Sequence, residues 1–446
     1  MSSLLRLGQR CLPAFLLLVS LFAAAPAQAL EGRAVDAHTG QPVAGLSVRL
    51  AGQPLVLAGD AQGRFSLPEG YRGALQLRAP GYRRLVLASD GATAPLARLQ
   101  PLRPKALYLS VFGIGNKTLR DGALALVGQT ELDALVIDVK GDRGLVPYRS
   151  AAHLAAGLGP QGFISVADMP ALLASLRERG LYLIARIVVF KDDPLAQAHP
   201  QWAVADPQGR GLWKDREGLA WIDPFRREAW DYSLALAEEA ARLGFDEVQF
   251  DYLRFPDATG LSFSAPNTRE NRVAAISGFL DAARLRLAPY DISIAADIFG
   301  YVAWNSDDTQ IGQQLEELAR HADVLCPMLY PSGFSHGIPG HPDPVTAPYA
   351  IVEQSLKRLL QRSGLSPLRV RPWLQAFRDY AFDRRVFDAD EIRAQIDAAE
   401  QLGTGGWMLW NAANRYEAGG LRPEVPTTTT LPVTPSPAAS APTPRP

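Results

Sequence analysis

Cysteine is almost absent: the 446-residue chain has two, Cys11 and Cys326. That excludes a disulfide-stapled scaffold and a paired-cysteine zinc site, so stability has to come from a large core. Histidine is scarce as well. There are six, with no H-x-H or H-E-x-x-H run, which disfavours a metal hydrolase, and neither a metal nor another cofactor is expected. His336 and His341 sit five apart on a Gly-rich loop, which is weak spacing for a metal. Charge of one sign is missing too. With 45 Lys+Arg against 46 Asp+Glu the formal net charge is −1, which gives no electrostatic case for nucleic acid or an anionic membrane surface. No G-x-S-x-G nucleophile elbow occurs, and Phe112-Gly-Ile-Gly-Asn116 lacks the third Gly of a dinucleotide fingerprint.

The long apolar run Leu12 to Ala25 follows Arg6 and Arg10 and precedes Ala27-Gln28-Ala29. A positive n-region, an apolar h-region and an A-x-A site together read as a secretory signal over residues 1–29. The run is too short for a span of ~20 residues and contains Pro13, so a membrane anchor is the weaker alternative. Cleavage after Ala29 leaves 446 − 29 = 417 residues, a charge of (45 − 2) − 46 = −3, and Cys326 alone. The expected location is therefore periplasmic or secreted, without stable membrane insertion. Pro423 to Pro446 is Pro, Thr, Ser and Ala and is expected to stay extended and uncored. The sequence does not give the oligomeric state.

Residues 30–100 read as all-β. Runs such as Leu46–Leu50, Gly63–Leu67 and Ala74–Arg78 are separated by Gly, Pro and Asp turn residues. The segments Gly32 to Gly45, Asp60 to Leu67 and Ala79-Pro-Gly-Tyr82 resemble the carboxypeptidase regulatory-like β-sandwich, which implies an accessory module.

From Lys105 strands alternate with helices. Eight strands are predicted: Lys105–Gly113, Ala134–Lys140, Leu181–Phe190, Glu247–Pro256, Ile292–Gly300, Val324–Pro331, Val370–Phe377 and Gly406–Asn411. Helices are predicted over Ala167–Arg179, Arg227–Leu243, Thr268–Leu287, Thr309–His321, Pro348–Arg362 and Ala389–Leu402. The fold class is α/β, a (β/α)8 TIM barrel over 105–420 preceded by the small sandwich; an open doubly wound sheet is the alternative.

The strand Glu247-Val-Gln-Phe-Asp-Tyr-Leu-Arg-Phe-Pro256 places Asp251 in an apolar run, which is expensive unless the carboxylate is used or paired. Polar and aromatic residues recur at the other strand ends: Asp138, Lys140 and Asp142; Arg186; Arg254; Asp297; Tyr330; Gln375; Trp410 and Asn411. Glycoside hydrolysis needs two carboxylates across the scissile bond. Asp251 and Asp297 on neighbouring strands fit that need, Asp251 as nucleophile or base kept ionised by Arg186 or Arg254, and Asp297 as acid in apolar surroundings. Asp138 competes for either role, or pairs with Lys140 or Arg186. Trp213, Trp221 and His336 lie on loops suited to sugar contact, and Arg186, Arg254, Lys140, Tyr330, Gln375, Trp410 and Asn411 are further substrate-binding candidates. A Schiff-base lyase using Lys140 and a non-catalytic carbohydrate-binding or scaffold protein are the competing readings.

Six runs then carry a resemblance: Leu135–Lys140, Trp221–Pro224, Phe250–Pro256, Asp297–Gly300, Pro327–Pro331 and Gly406–Asn411. They resemble a glycoside hydrolase-like TIM-barrel family catalogued as a bacterial domain of unknown function. The resemblance implies a TIM barrel with a nucleophilic Asp at the end of strand four, here Asp251; the expected substrate is a polysaccharide or oligosaccharide. Many related glycosidases carry Glu on strand five where this chain has Asp297.

Overall fold

The computed structural model describes residues 29–53 and 55–424. The signal segment, with Cys11, lies outside the described residues apart from Ala29, and so does the Pro-rich tail from 425. The chain forms two compact units, one of residues up to 77 together with 84–98, the other of 78–83 and 99 onward.

The first unit holds seven strands: β1 (Leu30–Asp36), β2 (Ser47–Leu50), β3 (Val56–Ala58), β4 (Arg64–Leu67), β5 (Arg72–Arg78), β6 (Leu85–Asp90) and β7 (Leu96–Leu99). They form sheets of order β4-β1-β7 and β3-β2-β5-β6. Their residues alternate between buried and exposed. Phe65 and Leu67 of β4 face in while Arg64 and Ser66 face out, as period-two patterning requires. Gly32 lets the Phe65 ring lie flat on β1, since a Cβ there would sit 2.3 Å from the ring.

The second unit is a closed barrel of eight parallel strands: β8 (Lys105–Leu109), β9 (Ala134–Lys140), β10 (Tyr182–Val188), β11 (Glu247–Asp251), β12 (Ser293–Phe299), β13 (Val324–Met328), β14 (Trp373–Gln375) and β15 (Trp407–Trp410). The connections carry α1 (Lys117–Val127), α2 (Ala151–Ala155), α3 (Met169–Glu178), α4 (Asp193–Ala198), α5 (Trp230–Leu243), α6 (Arg269–Leu287), α7 (Leu315–His321), α8 (Pro348–Ser363) and α9 (Ala389–Gln401). Each expected strand is present, shortened where a loop peels away toward the mouth. Three of the helices, α1, α2 and α4, were not expected from periodicity. Local caps set the helix starts: the Asp168 side chain accepts from the Ala171 amide at 2.9 Å, and Asp388 with Glu391 forms a capping box. The helix expected from Thr309 starts only at Leu315. Thr309 and Gln310 have positive φ, and Asp308 accepts from the Gln310 and Gly312 amides while pairing with Arg272.

Side chains fill the barrel in layers. At the amino ends of the strands Arg371 pairs with Glu247 at 2.7 Å, and the Tyr182 hydroxyl donates to Glu247 at 3.2 Å. The middle is mostly apolar, with Ala106, Val136, Ile184, Ala295, Cys326 and Met408 in one buried cluster, into which Gln249 reaches to donate to Met408 Sδ at 3.4 Å. The polar groups of function collect in the third layer, at the carboxyl ends.

Candidate active site

Arg186 of β10 organises the mouth. Its guanidinium donates to Asp138 Oδ1 at 2.7 Å, Asp142 Oδ1 at 2.8 Å, and Asp251 Oδ2 from both Nε (2.9 Å) and Nη2 (2.6 Å). Its carbon lies 4.9 Å from the Trp410 ring centroid and 5.4 Å from that of Tyr108. The Tyr108 hydroxyl donates to Asp138 Oδ2 at 2.7 Å. Burial pushes the Asp138 carboxyl up to about 6, against the pull of Arg186 and with Asp142 adding to the rise.

Asp251 is the last residue of β11, and its register places it beside Asp297: Gln249 pairs with Ala295 and Phe250 with Ala296. Asp251 Oδ1 accepts from the Tyr252 amide at 2.6 Å, an amide set by a left-handed backbone at Tyr252, φ 47°. A bulky residue in that region is strained, and such strain clusters at functional sites. The bend ends the strand and sends Leu253 out to the helix-facing core rather than to the Asp251 side.

Asp297 is fully buried. The Trp373 indole donates to its Oδ1 at 2.7 Å, while Oδ2 has no partner. Desolvation, then the charge of Asp251, holds its carboxyl well above the usual range, and the Trp373 bond opposes this.

Above this layer opens a cleft of about 670 Å³. Asp142, Arg186, Asp251, Arg254 and Arg378 supply its charge, and Tyr252, Phe299, Tyr330, Trp373, Phe377, Tyr380 and Trp410 supply its aromatic walls. Such walls suit the apolar faces of sugar rings. Asp297 lies beneath the floor rather than on it.

Several expected site residues take other places. Lys140 is a correction: it does not face the mouth. Arg186 pairs with Asp138 but Ile187 with Lys140, so a bulge at Val139 turns Lys140 to the outer face of the sheet. There it is fully buried, 2.5 Å from Asp192 and 3.1 Å from Ser233, with the Tyr232 ring beneath it. Gln375 is buried, with its amide used on Ser332 (2.7 and 3.0 Å) and the Phe377 carbonyl (3.2 Å), so it anchors the loop after β13 and is not free for substrate. Asn411 borders the cleft, but its side chain bonds the Ala376 and Arg415 carbonyls and the Ala413 amide. Trp221 is buried with its indole on Asp215 at 3.0 Å, and half-buried Trp213 packs 6.5 Å from it; neither lines the cleft. His336 is exposed and likewise not part of the lining. Arg254 makes no ion pair with Asp251 among the described residues; Arg186 alone does. Asp138, Asp251, Asp297, Tyr330 and Trp410 do converge on one mouth. Asp142, Tyr108, Trp373 and Tyr252 join them. Asp142 had a strand-end signal; Tyr108 and Trp373 could have been found by extending inward-facing alternation along β8 and β14.

Residues 106–416 match the family described as "Putative glycosyl hydrolase domain". Among solved structures, the PgaB (BpsB) glycoside hydrolase domain from Bordetella bronchiseptica is 16% identical, with a TM-score of 0.50 over 70% of this chain and 95% of its own. At that identity the likeness speaks to the fold. A hypothetical protein from Ruminiclostridium thermocellum ATCC 27405 is 34% identical, with a TM-score of 0.38 over 43% of this chain and 96% of its own. The glycoside hydrolase domain of PelA from Pseudomonas aeruginosa is 15% identical, with a TM-score of 0.41 over 70% of this chain and 96% of its own. No curated protein matches the chain.

Proposed function

The chain belongs to this glycosyl hydrolase domain family, and from that premise we propose that it is an exported glycoside hydrolase cleaving a polysaccharide through Asp251 and Asp297. The observation that carries the proposal is the contrast between these neighbouring carboxyls. Asp251 borders the cleft as an Arg186-paired carboxylate, whereas Asp297 is desolvated, raised, and keeps one oxygen unpartnered. Two carboxyls with environments pushed apart suit an acid and a base or nucleophile.

Asp251 is the nucleophile or the base. Arg186 and the Tyr252 amide hold it in one orientation, so little reorganisation accompanies attack. The proton donor has to be a carboxyl that keeps its proton near neutrality. Asp297 is raised well above the usual range, whereas Asp138, at about 6, releases its proton below neutrality and gives its oxygens to Arg186 and Tyr108. Asp297 Oδ2 is uncommitted, which favours Asp297. The role requires substrate to reach it past the Trp373 indole, which both lines the cleft and bonds Asp297. Export rests on residues 1–29, and mass spectrometry of the protein recovered from its host tests it: a mature chain starting at Leu30 is expected.

Asp251→Asn and Asp297→Asn, assayed for reducing-end release on a polysaccharide panel, are each expected to abolish turnover while the protein stays folded by tryptophan fluorescence; Asp251→Asn, which takes a buried partner from Arg186, is expected to unfold at lower urea. Near-wild-type turnover in either variant would remove that residue from the mechanism. The burial of Asp297 favours a second reading, a non-catalytic glycan-binding barrel, for which glycan binding without reducing-end release from the wild type is the expected result.

A further inference from the structure

Two guanidiniums at this mouth are built differently. Arg186 is saturated by three carboxylates. Arg254 has none within ion-pair distance among the described residues, although it borders the same cleft. Its one hydrogen bond runs from Nη1 to the Phe255 carbonyl at 3.0 Å. Three rings enclose it, Trp221 at 5.0 Å, Tyr252 at 5.3 Å and Phe299 at 5.4 Å. A guanidinium carries five N–H donors. The unused ones are not among the buried orphan atoms, so they are not sealed in the core, and the residue itself borders the cleft. A cation held among aromatic rings without an ion pair is disfavoured by desolvation, and burial accordingly lowers the Arg254 pKa, outweighing the more distant charges of Asp251, Asp257 and Asp215. Packing alone would be served by Met or Leu. Cation–π attraction explains why the ring-lined slot tolerates the charge, but not why donors are left unused beside the cleft.

We infer that the substrate is an acidic glycan and that Arg254 binds a sugar carboxylate at a subsite beside Asp251, an inference that rests on the glycosidase reading of the cleft. A guanidinium packed between rings presents a planar edge, and a planar carboxylate meets such an edge with two parallel hydrogen bonds. Asp138, Asp142 and Asp251 outnumber Arg186 and repel an anion from the reacting centre itself. The acid group is thereby steered to Arg254, which fixes the register of the sugar chain over Asp251. A second cation without an ion-pair partner among the described residues, Arg378, borders the cleft just after β14, three strands around the barrel from β11. Its bond is to the Arg384 carbonyl at 2.7 Å. Acid groups on successive sugars would meet one cation on each side.

The test is native affinity electrophoresis of the full chain, Arg254→Gln and Arg254→Lys in gels containing polygalacturonate, alginate or hyaluronan. Carboxyl-reduced forms of each polymer, sulfated carrageenan and a neutral galactomannan run alongside. At least one uronate polymer is expected to bind. Carboxyl reduction and Arg254→Gln are each expected to weaken binding about tenfold or more, the worth of one charge-assisted pair. The two losses should not add, because they remove the same contact. Arg254→Lys should recover part of the binding, and tryptophan fluorescence should show an unchanged fold. Failure of every uronate polymer to bind, uronate binding indifferent to Arg254, or retention only by carrageenan overturns the inference. Reducing-end release is read in parallel. Asp251-dependent cleavage of the galactomannan with no role for Arg254 overturns the acidic substrate and leaves the hydrolase. Arg254-dependent binding of a uronate without cleavage leaves the acidic ligand and overturns the hydrolase.

Discussion

Replacing Arg186 with Met is the most informative single perturbation of this barrel. Methionine keeps an unbranched side chain against the stacked rings of Tyr108 and Trp410 but removes the charge. Arg186 is 1% exposed, and its partners Asp138 and Asp251 are 2% and 7% exposed. Taking away one member of a buried pair costs about 3–5 kcal/mol because it leaves an uncompensated charge. Asp142, 36% exposed, adds about 1 kcal/mol at most. The deficit should depend on pH in a direction that can be worked out. Asp138 titrates at about 6 in the native barrel, with burial raising it and Arg186 holding it down. Without Arg186 it keeps its proton to higher pH. Above pH 6 the variant's native state then binds a proton that both the wild-type native state and the unfolded chain have released. The variant therefore loses about 1.4 kcal/mol per pH unit relative to the wild type until Asp138 ionises. Below pH 6 this group contributes no further difference. The expected result is a deficit of about 3–5 kcal/mol at pH 8 that shrinks by about 2–3 kcal/mol at pH 6. All eight tryptophans lie between Trp202 and Trp410, so their fluorescence in urea reports the barrel and is silent on the sandwich. A deficit independent of pH, or one growing toward acid, would refute the electrostatic account and leave only packing.

Other perturbations separate the site from its frame. Trp373→Phe removes the donor that opposes the raised Asp297 carboxyl, so the alkaline limb of the pH–rate profile should move to higher pH; a limb moving to lower pH contradicts Asp297 as the acid. Lys140→Met should cost about 3–5 kcal/mol by stranding Asp192, yet leave kcat/KM within about threefold, as measured by urea melts and reducing-end release. With any polysaccharide that is turned over, borohydride should trap no adduct on Lys140; a trapped adduct would revive the lyase.

The barrel was legible because its signals are local and repeated. Ala134–Lys140 and Glu247–Asp251 are buried at every position, although the first carries Asp138 and Lys140 among its apolar residues and the second alternates Val248 and Phe250 with Glu247, Gln249 and Asp251. Asp251 stood out because an acid in such a run conflicts with its surroundings. Facing was harder to read, because it depends on register. One extra residue at Val139 reverses Lys140, and the left-handed turn at Tyr252 reverses Leu253. Hydrogen-bond partnership was harder still. Nothing in the sequence near Gln375 announces Ser332, 43 positions away, and Arg186 and Arg254 look equally suited to Asp251 until the distances are known. The sequence overextends the short β14 because Val370, Ala376 and Phe377 carry an apolar pattern past its three residues.

The Glu247–Arg371 pair, with Tyr182 beside it, closes the amino-terminal end of the barrel, and a packed layer, apolar but for Gln249, lies between it and Asp251. The lumen is therefore a blind well rather than a tunnel. On the proposed polysaccharide reading, a long polymer lies across the rim and dips one linkage inward, and both severed ends leave by the side from which the chain arrived. Traffic of that kind suits an enzyme that lets go after each cut more than one that threads along its strand.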